Sequence, residues 1–231
     1  MPGTILITGC DRGIGLEAAR QFAADGWRVL ATYHEPVVPL ELQAAAKSYP
    51  GLETLRLDVT DYDRMAELAR ELRGQSIDIL LNNAAMFGPI VTMFGGVLLS
   101  RWRKAFEVNT IAPYKMVETF LSHICASERK LVAVISSKKG SIADNTGGGA
   151  YIYRSTKSAV NQVVRSLSID LRERGVNVVA IHPGWVRTAM GGTTASMSVE
   201  ASVRAVKKLL LEIGPGHSGH FLNYDGAEIP W

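Results

Sequence analysis

Residues 4–15 read TILITGCDRGIG, and this stretch indicates a strand that turns directly into a helix. Its first five residues form a β-branched apolar run, which is typical of a buried parallel strand. Ile14, Ala18 and Phe22 then recur on one face of a helix, and Gly26 is expected to end that helix. The chain is therefore predicted to begin with a βα unit that contains a glycine-rich turn.

The glycine-rich turn is the first candidate site. A turn without side chains lets backbone N–H groups at a helix N-terminus approach a pyrophosphate, helped by the helix dipole. We therefore assign Gly9, Arg12, Gly13, Ile14 and Gly15 to dinucleotide binding. The alternative is a strand-to-helix turn that is merely tight.

The second predicted strand, residues 27–32, indicates which dinucleotide is bound. Residues just after this strand meet the adenosine ribose in a dinucleotide fold. No acid stands at the strand tip, although Glu35 comes close, whereas Arg12 and His34 can offer donors to a 2′-phosphate. We expect NADP rather than NAD. An ordinary exposed loop histidine is the alternative for His34.

Strands and helices alternate along the whole chain. Further strands are predicted at 52–57, 77–81, 130–135, 176–181 and, as a short edge strand, 220–222. Helices are predicted at 40–47, 62–72, 100–124, 151–175 and 198–213, with a loop at 87–96. This order predicts one α/β domain over residues 1–231, doubly wound and Rossmann-type, with a mostly parallel sheet of about seven strands.

Polar residues follow several of these strands, at the edge where open α/β sheets place their chemistry. Asp58 and Val59 follow the third strand, where an adenine is expected, and a helix N-cap is the alternative role for Asp58. Asn82-Asn83-Ala84 follows the fourth strand, where asparagine side chains satisfy neighbouring backbone groups. Ser136-Ser137 follows the fifth.

Three residues inside predicted helices also attract attention. Asn109 is disfavoured there, and it must find partners or bend the helix around a water. Tyr153 and Lys157 share one helix face, and a nearby ammonium is expected to lower the pKa of the phenol. Such a tyrosine can exchange a proton with a carbonyl or alcohol oxygen, although the pair also occurs by chance on surface helices.

Composition excludes several other classes of function. The formal net charge of +3, from 25 basic and 22 acidic residues, is too mild to indicate nucleic-acid binding. Two cysteines, Cys10 and Cys125, form neither a disulfide framework nor a metal-ligand cluster, and no metal site is predicted. No apolar run approaches the length of a membrane span, so we expect a cytoplasmic protein without membrane contact.

Over its full length the chain resembles the short-chain dehydrogenase/reductase family. The motifs that carry the resemblance are TGCDRGIG at 8–15, Asn82-Asn83-Ala84, Asn109, Ile135-Ser136-Ser137, Tyr153-x-x-x-Lys157 and Pro183-Gly184. Segments 151–161, 183–188 and 221–231 are also similar to the C-factor-like and sniffer-like carbonyl reductases of that family.

The resemblance implies specific catalytic roles. Tyr153 is the general acid in reduction or the base in oxidation, and Lys157 lowers its pKa and binds the nicotinamide ribose. Ser137 hydrogen-bonds the substrate carbonyl, and Asn109 holds a water that relays protons from Lys157. Around Val186 the backbone contacts the carboxamide. The full set predicted to bind the cofactor is Gly9, Arg12, Gly13, Ile14, Gly15, His34, Asp58, Val59, Asn83, Ala84, Tyr153, Lys157, Pro183, Gly184, Val186 and Thr188.

The chain departs from the family pattern in several places. Ala85 replaces a usual glycine, and the gap between Ser137 and Tyr153 is longer than usual, which keeps Ser136 as a competitor for the serine role. Basic residues at 138, 139 and 154 favour an anionic substrate. A short segment after Thr188 predicts an open cleft, with Met190 and Met197 either lining it or filling surface.

These features predict that the protein reduces an aldehyde or ketone with NADPH. An NAD-dependent alcohol dehydrogenase and a dinucleotide-binding signalling protein are the alternatives. Family analogy predicts a homodimer or homotetramer through the helices at 100–124 and 151–173.

Overall fold

The computed structural model describes residues 2–88 and 94–231, and it contains one seven-stranded sheet. The strands are β1 Thr4–Ile7, β2 Arg28–Tyr33, β3 Leu52–Arg56, β4 Ile79–Asn82, β5 Leu131–Ile135, β6 Asn177–His182 and β7 Phe221–Asn223. The helices are α1 Gly13–Ala24, α2 Leu40–Ser48, α3 Tyr62–Glu71, α4 Leu99–Phe106, α5 Ala112–Cys125, α6 Tyr151–Asp170 and α7 Val199–Glu212.

The strand order β3-β2-β1-β4-β5-β6-β7 confirms the predicted doubly wound fold, and every strand pair is parallel. From β1 the chain winds outward to β3, and from β4 it winds in the opposite direction to β7. The order therefore reverses between β1 and β4. A crevice at this switch point, outside the carboxyl ends of the strands, is where such sheets bind their ligands.

Alternating residues of the strands bury two apolar cores, one on each face of the sheet. On one face Ile5 and Ile7 lie in a cluster with Phe22 of α1 and Leu210 of α7. On the other face Leu6 lies in a cluster with residues of α3, α5 and α6. Both faces are covered because parallel strands of continuous apolar sequence cannot leave either face in water.

The helix predicted over 100–124 is interrupted. Between α4 and α5 lies a π-helical turn, Glu107–Ile111, which contains Asn109. Pro113 has no N–H and cannot bond to the carbonyl of Asn109 as an α-helix requires, so the backbone widens there. Asn109 was expected either to find partners or to bend the helix around a water, and it finds partners in Met86 and Thr156. The prediction of one uninterrupted helix was wrong.

Smaller boundaries also differ from prediction. α6 ends at Asp170, and a 3₁₀ turn leads to Gly175, which adopts a φ of +70°. Ser198 caps α7 as expected, accepting from the N–H of Ala201 at 3.1 Å. Of the predicted loop 87–96, residues 89–93 lie outside the described residues. None of the described helices combines the length and apolarity that crossing a bilayer requires.

Candidate functional site

The glycine turn after β1 is closed too tightly for side chains. A Cβ on Gly15 would lie 2.2 Å from the carbonyl oxygen of Gly9, and a Cβ on Gly9 would lie 2.9 Å from the Cα of Ala84. Gly9 and Gly13 also have φ values of +71° and +58°, which glycine adopts without strain. The helix N-terminus and the strand ends therefore enclose a cradle of bare backbone, as a pyrophosphate site requires.

Asn83 holds this turn from the side of β4. Its Nδ2 donates to the carbonyls of Thr8 and Gly9 at 2.9 and 3.1 Å, and the hydroxyl of Thr8 accepts from the N–H groups of Asn83 and Ala84, each at 3.0 Å. The asparagine thus satisfies backbone groups, as its position at a strand end indicated. A direct cofactor contact by Asn83 or Ala84 stays a prediction.

At the adenosine end, sequence reasoning missed Asp11. One oxygen of its carboxylate accepts from the N–H of His34 at 3.1 Å and lies 3.0 Å from the Nδ1 of that histidine. The side chains of Asp11, His34 and Glu35 have ligand atoms within 4.8 Å of one another, which the Asp11 contacts explain without a metal ion. A phosphate approaching His34 must therefore meet carboxylates, while Arg12 is exposed at the start of α1.

Asp58 is not the N-cap of α3. That role belongs to Asp61, whose carboxylate accepts from the N–H of Arg64 at 3.0 Å. Asp58 instead accepts from the N–H and hydroxyl of Thr60 at 2.9 and 2.8 Å. Although burial acts to raise its pKa, these bonds and the charge of Lys104 hold the pKa of Asp58 below its ordinary value. Its carboxylate is therefore ionised beside Val59, which is buried.

Several buried polar atoms at the carboxyl edge lack a hydrogen-bond partner in the described part of the chain. They are Thr32 Oγ1 on β2, Asn82 Nδ2 on β4 and His182 Nδ1 on β6. Buried polar atoms normally have partners, so this edge is suited to ordered water or a polar ligand. Together with the glycine cradle, these atoms show that the edge fits a dinucleotide.

Tyr153 and Lys157 lie buried on α6, with exposed fractions of 8% and 2%. The Nζ of Lys157 donates to the carbonyl of Ile135 at 2.7 Å and lies 5.8 Å from the centroid of the Tyr153 ring. Burial disfavours the charged amine and lowers the pKa of Lys157 from 10.5 to about 8. The ring of Phe87 packs on Tyr153 with centroids 4.6 Å apart.

The predicted pKa of Tyr153 was wrong for this structure. Burial raises the pKa of the phenol from 10.0 to about 12, and a hydrogen bond from Ser137 lowers it by less. The lysine does not reverse this shift because its own charge is disfavoured by burial and because its ammonium is directed at the Ile135 carbonyl. The phenol is therefore held in its protonated form.

The structure separates the two candidate serines. Ser136 is buried, and its hydroxyl donates to the Oδ1 of Asn161 at 2.6 Å. Ser137 is the serine that lies beside the Tyr153 phenol, where it acts to lower the pKa of that group, and it also accepts from the N–H of Lys139 at 3.2 Å. The geometry thus favours Ser137 over Ser136 for the predicted substrate contact.

Asn109 is fully buried and its amide is already engaged. Its Oδ1 accepts from the N–H of Met86 at 2.8 Å, and its Nδ2 donates to the carbonyl of Met86 at 2.8 Å and to the hydroxyl of Thr156 at 3.0 Å. Both amide protons are used, so the side chain cannot donate to a water. If Asn109 holds a relay water, its backbone carbonyl is the suitable group, because Pro113 leaves it without its α-helical donor.

The segment after β6 approaches the glycine turn. A Cβ on Gly13 would lie 3.4 Å from the Cγ2 of Thr188, whose hydroxyl accepts from the N–H of Gly191 at 3.1 Å. Val186 is buried and forms a single parallel bridge with Met197, so this segment loops round until its end lies beside its beginning. The predicted Thr188 and Val186 therefore come to the same edge as the glycine cradle.

The beginning of this segment is fixed by α7. Gly184 has a φ of +88°, and the carbonyl of Pro183 accepts from the hydroxyl of Ser202 at 2.6 Å. The Sδ of Met197 would lie 3.1 Å from a Cβ on Gly184, which matches the filling role rather than a cleft-lining one. Met190 is 42% exposed.

Two of the basic residues at the predicted mouth are engaged. Lys138 forms an ion pair with Asp144 at 3.4 Å, and Arg154 donates to the carbonyl of Gly148 at 3.2 Å. Lys139 is exposed. The case for an anionic substrate therefore depends mainly on Lys139, and it stays a prediction.

Comparison with known proteins identifies the family. The family model described as short chain dehydrogenase matches residues 3–198. The C-signal protein of Myxococcus xanthus is 39% identical over 155 residues, which are 67% of this chain and 93% of that protein. The carbonyl reductase Sniffer of D. melanogaster is 30% identical, with 100% of both chains covered and a TM-score of 0.94.

A third protein, an NADPH-bound carbonyl reductase from chicken fatty liver, is 32% identical over 99% of this chain and 94% of that one, with a TM-score of 0.92. These similarities confirm the resemblance that the motifs indicated, and the strand order agrees with it. The chain belongs to the short-chain dehydrogenase/reductase family and is an oxidoreductase of that family.

Proposed function

We propose that this protein is an NADPH-dependent carbonyl reductase in which Tyr153 protonates the carbonyl oxygen of an aldehyde or ketone. The observation that carries the proposal is the buried pair Tyr153 and Lys157, with Ser137 beside the phenol, at the same sheet edge as the glycine cradle. An acid, a second hydroxyl donor and a dinucleotide cradle at one edge suit carbonyl reduction.

The residues of the chain have complementary roles in this reaction. A bound nicotinamide cofactor supplies the hydride. Ser137 donates a hydrogen bond to the carbonyl oxygen, and Tyr153 then transfers its proton to the developing alkoxide. The raised pKa of Tyr153 keeps that proton in place before reaction. The Lys157 Nζ lies 5.8 Å from the ring centroid, and in its ammonium form it stabilises the phenolate that remains.

The choice of NADP over NAD rests on Arg12. Its side chain is exposed at the start of α1, where a guanidinium can pair with a 2′-phosphate, and the similar chicken enzyme is NADPH-bound. We expect Arg12→Ala to raise the KM for NADPH on the order of 10-fold and to leave that for NADH unchanged. Arg204→Ala, an exposed arginine of α7, is the control. Equal KM effects on both cofactors would contradict this assignment.

The reaction itself is tested with a panel of aldehydes, ketones and diketones. Oxidation of NADPH, followed at 340 nm, is expected to depend on the carbonyl compound and to exceed oxidation of NADH at equal concentration. The reverse assay supplies alcohols with NAD or NADP. If none of these compounds causes oxidation or reduction of the cofactor faster than the blank without substrate, the reductase proposal is wrong.

Two other functions have a specific observation in their favour. The carboxylates of Asp11 and Glu35 near His34 are better suited to ribose hydroxyls than to a phosphate, which favours an NAD-dependent alcohol dehydrogenase. Similarity to the C-signal protein favours a signalling role that needs the bound dinucleotide but not turnover. A cellular role that survives Tyr153→Phe would support the signalling protein.

We also propose a cytoplasmic homo-oligomer that acts on a small molecule. Apolar side chains that remain exposed on neighbouring helices suit a contact between copies; they include Ile111, Tyr114, Tyr151 and Ile169. Light scattering with size-exclusion chromatography should give a dimer or tetramer mass, and a monomer at micromolar concentration would contradict it. Cys10 and Cys125 are free thiols, which agrees with a reducing compartment, and cell fractionation tests the location.

A further inference from the structure

One face of α6 binds the segment that leaves β5. Tyr153, Lys157 and Asn161 are spaced by four residues, and all are buried, with exposed fractions of 8%, 2% and 3%. Tyr153 contacts Ser137 and Lys157 donates to the carbonyl of Ile135. Asn161, the third residue of the row, has no part in the proton transfer described above, yet it reaches the same segment.

Asn161 bonds to two residues of this exit segment, 135–140. Its Oδ1 accepts from the hydroxyl of Ser136 at 2.6 Å, and its Nδ2 lies 3.4 Å from the carbonyl of Gly140. Ser136 is only 1% exposed, so water cannot replace this bond. This hydrogen bond holds Ser136, the residue directly before Ser137.

The far end of the exit segment lies directly on the helix. A Cβ on Gly140 would lie 2.9 Å from the backbone carbon of Lys157, and the hydroxyl of Ser158 donates to the Gly140 carbonyl at 2.9 Å. Ile135 is fixed at the near end by Lys157. Between these fixed ends, the N–H of Ser136 donates to the carbonyl of Ile181 on β6 at 2.8 Å and its hydroxyl donates to Asn161, so the residue before Ser137 is held on both sides.

We propose that Asn161 is a positioning residue, which acts through Ser136 to hold the Ser137 hydroxyl against Tyr153 and the substrate carbonyl. The inference rests on the proposed reductase function and gives the adjacent residues Ser136 and Ser137 different roles. Ser136 is the anchor, and Ser137 is the donor.

A positioning role makes the effects of mutations at 161 and 137 non-additive. Asn161→Ala should lower kcat on the order of 10-fold with little change in the KM for NADPH, because the donor is displaced while the cradle is intact. In a Ser137→Ala background, Asn161→Ala should lower kcat by less than about two-fold, since the group it positions is gone. Gln162→Ala, the next residue on α6 and exposed, is the matched control.

The two hydroxyl variants sharpen the assignment. Ser136→Ala should lower kcat by the same factor as Asn161→Ala, and the double variant should lower kcat by no more than either single variant. Ser136→Thr should retain most of the wild-type kcat, because threonine retains the hydroxyl donor. Losses that multiply in the Ser137→Ala background would overturn the inference. So would an Asn161→Ala protein that melts earlier but keeps its kcat.

A spectroscopic measurement keeps the test independent of turnover. The ¹³C chemical shift of the ring carbon that bears the Tyr153 hydroxyl, assigned with Tyr153→Phe, reports the hydrogen bond from Ser137. Asn161→Ala and Ser137→Ala are expected to move this signal in the same direction, and an unmoved signal in Asn161→Ala overturns the inference. If the wild-type protein reduces no carbonyl, but the signal moves in the same direction in Asn161→Ala and in Ser137→Ala, only the proposed function is refuted and the positioning role stands.

Discussion

Two turns at the carboxyl edge of the sheet are fixed by opposite means. The turn after β1 is packed backbone against backbone and leaves no room for a side chain at Gly15, since a single added Cβ there would meet the Gly9 carbonyl at 2.2 Å. The turn after β5 is fixed by buried side chains, with Lys157 bonded to Ile135 and Asn161 bonded to Ser136.

The two turns differ in which chemical groups they place at the edge of the sheet. A close-packed backbone turn can present N–H groups to a ligand, and its titratable side chains, Asp11 and Arg12, are not buried. The turn after β5 packs on Tyr153 and Lys157 and helps to bury them, and this loss of water shifts the pKa of both groups. We therefore expect substitutions in the first turn to change cofactor affinity and stability, and substitutions around the second to change rate and pH dependence.

We expect the largest effect from removing the phenol hydroxyl that lies beside the turn after β5. Tyr153→Phe should lower kcat on the order of 10²–10⁴-fold, because the proton donor is removed, while NADPH binding, measured by fluorescence titration, is unchanged. Tyr151→Phe, an exposed tyrosine at the start of the same helix, is the control. An equal loss in both variants would remove the special role of Tyr153.

The second prediction uses the buried lysine. Its pKa of about 8 in the folded state lies below its ordinary 10.5, so between these pH values the unfolded chain binds more protons and stability rises with pH. Lys157→Met lacks this rise. The wild type should gain about 2–3 kcal/mol relative to Lys157→Met between pH 8 and 10.5, measured by urea unfolding.

Comparing the two proteins cancels the opposing effects of other groups present in both. The raised pKa of Tyr153, for instance, makes stability fall above pH 10 in wild type and variant alike. Lys139→Met, which removes an exposed lysine, should show no such difference in slope. Parallel stability curves for wild type and Lys157→Met would show that Lys157 is not desolvated as described.

The third prediction breaks the first turn. Gly15→Ala should destabilise the fold by about 1–3 kcal/mol and abolish measurable NADPH binding, since the new methyl group must displace backbone. Gly216→Ala is the control because a Cβ there meets nothing within 4 Å. A Gly15→Ala protein of normal melting temperature and normal NADPH affinity would contradict the close-packed description.

The smallest effect concerns the support of that turn. Asn83→Ala removes the bonds to the carbonyls of Thr8 and Gly9, so it should cost about 1–2 kcal/mol of stability and weaken NADPH binding several-fold, with kcat at saturation unchanged. Asn145→Ala, which alters an exposed loop contact to Gly148, is the control. A lower kcat at saturating NADPH would mean that the two turns are not separable.

The order of strands and helices could be predicted from the sequence, because apolar periodicity and the glycines that end each element are local features. The same holds for the grouping of Thr188 with the glycine turn, since parallel strands end at one edge. The long-range polar pairings could not be predicted. Asp11 bonding to His34 and Asn109 bonding to Met86 depend on loop paths and on a π-helical turn, although Pro113 following Asn109 by four residues was a signal for that turn.

The error over Tyr153 has a specific physical cause. Spacing on a helix shows that Lys157 is near Tyr153, but it does not show how much water either group loses. Desolvation, which depends on β5, the π-helical turn and the packed Phe87, outweighs the charge of a lysine that is itself desolvated. A sequence pattern therefore located the pair correctly and gave the wrong direction for the pKa of the phenol.

If the proposed function is correct, the turns after β1 and β5 serve one hydride transfer to a carbonyl. We would incubate the wild-type protein with NADPH that carries deuterium at both C4 positions and with a reducible diketone, and analyse the product by mass spectrometry. We predict one deuterium on the new carbinol carbon for each NADPH oxidised. A protein that binds NADPH tightly but forms no labelled alcohol would contradict the account.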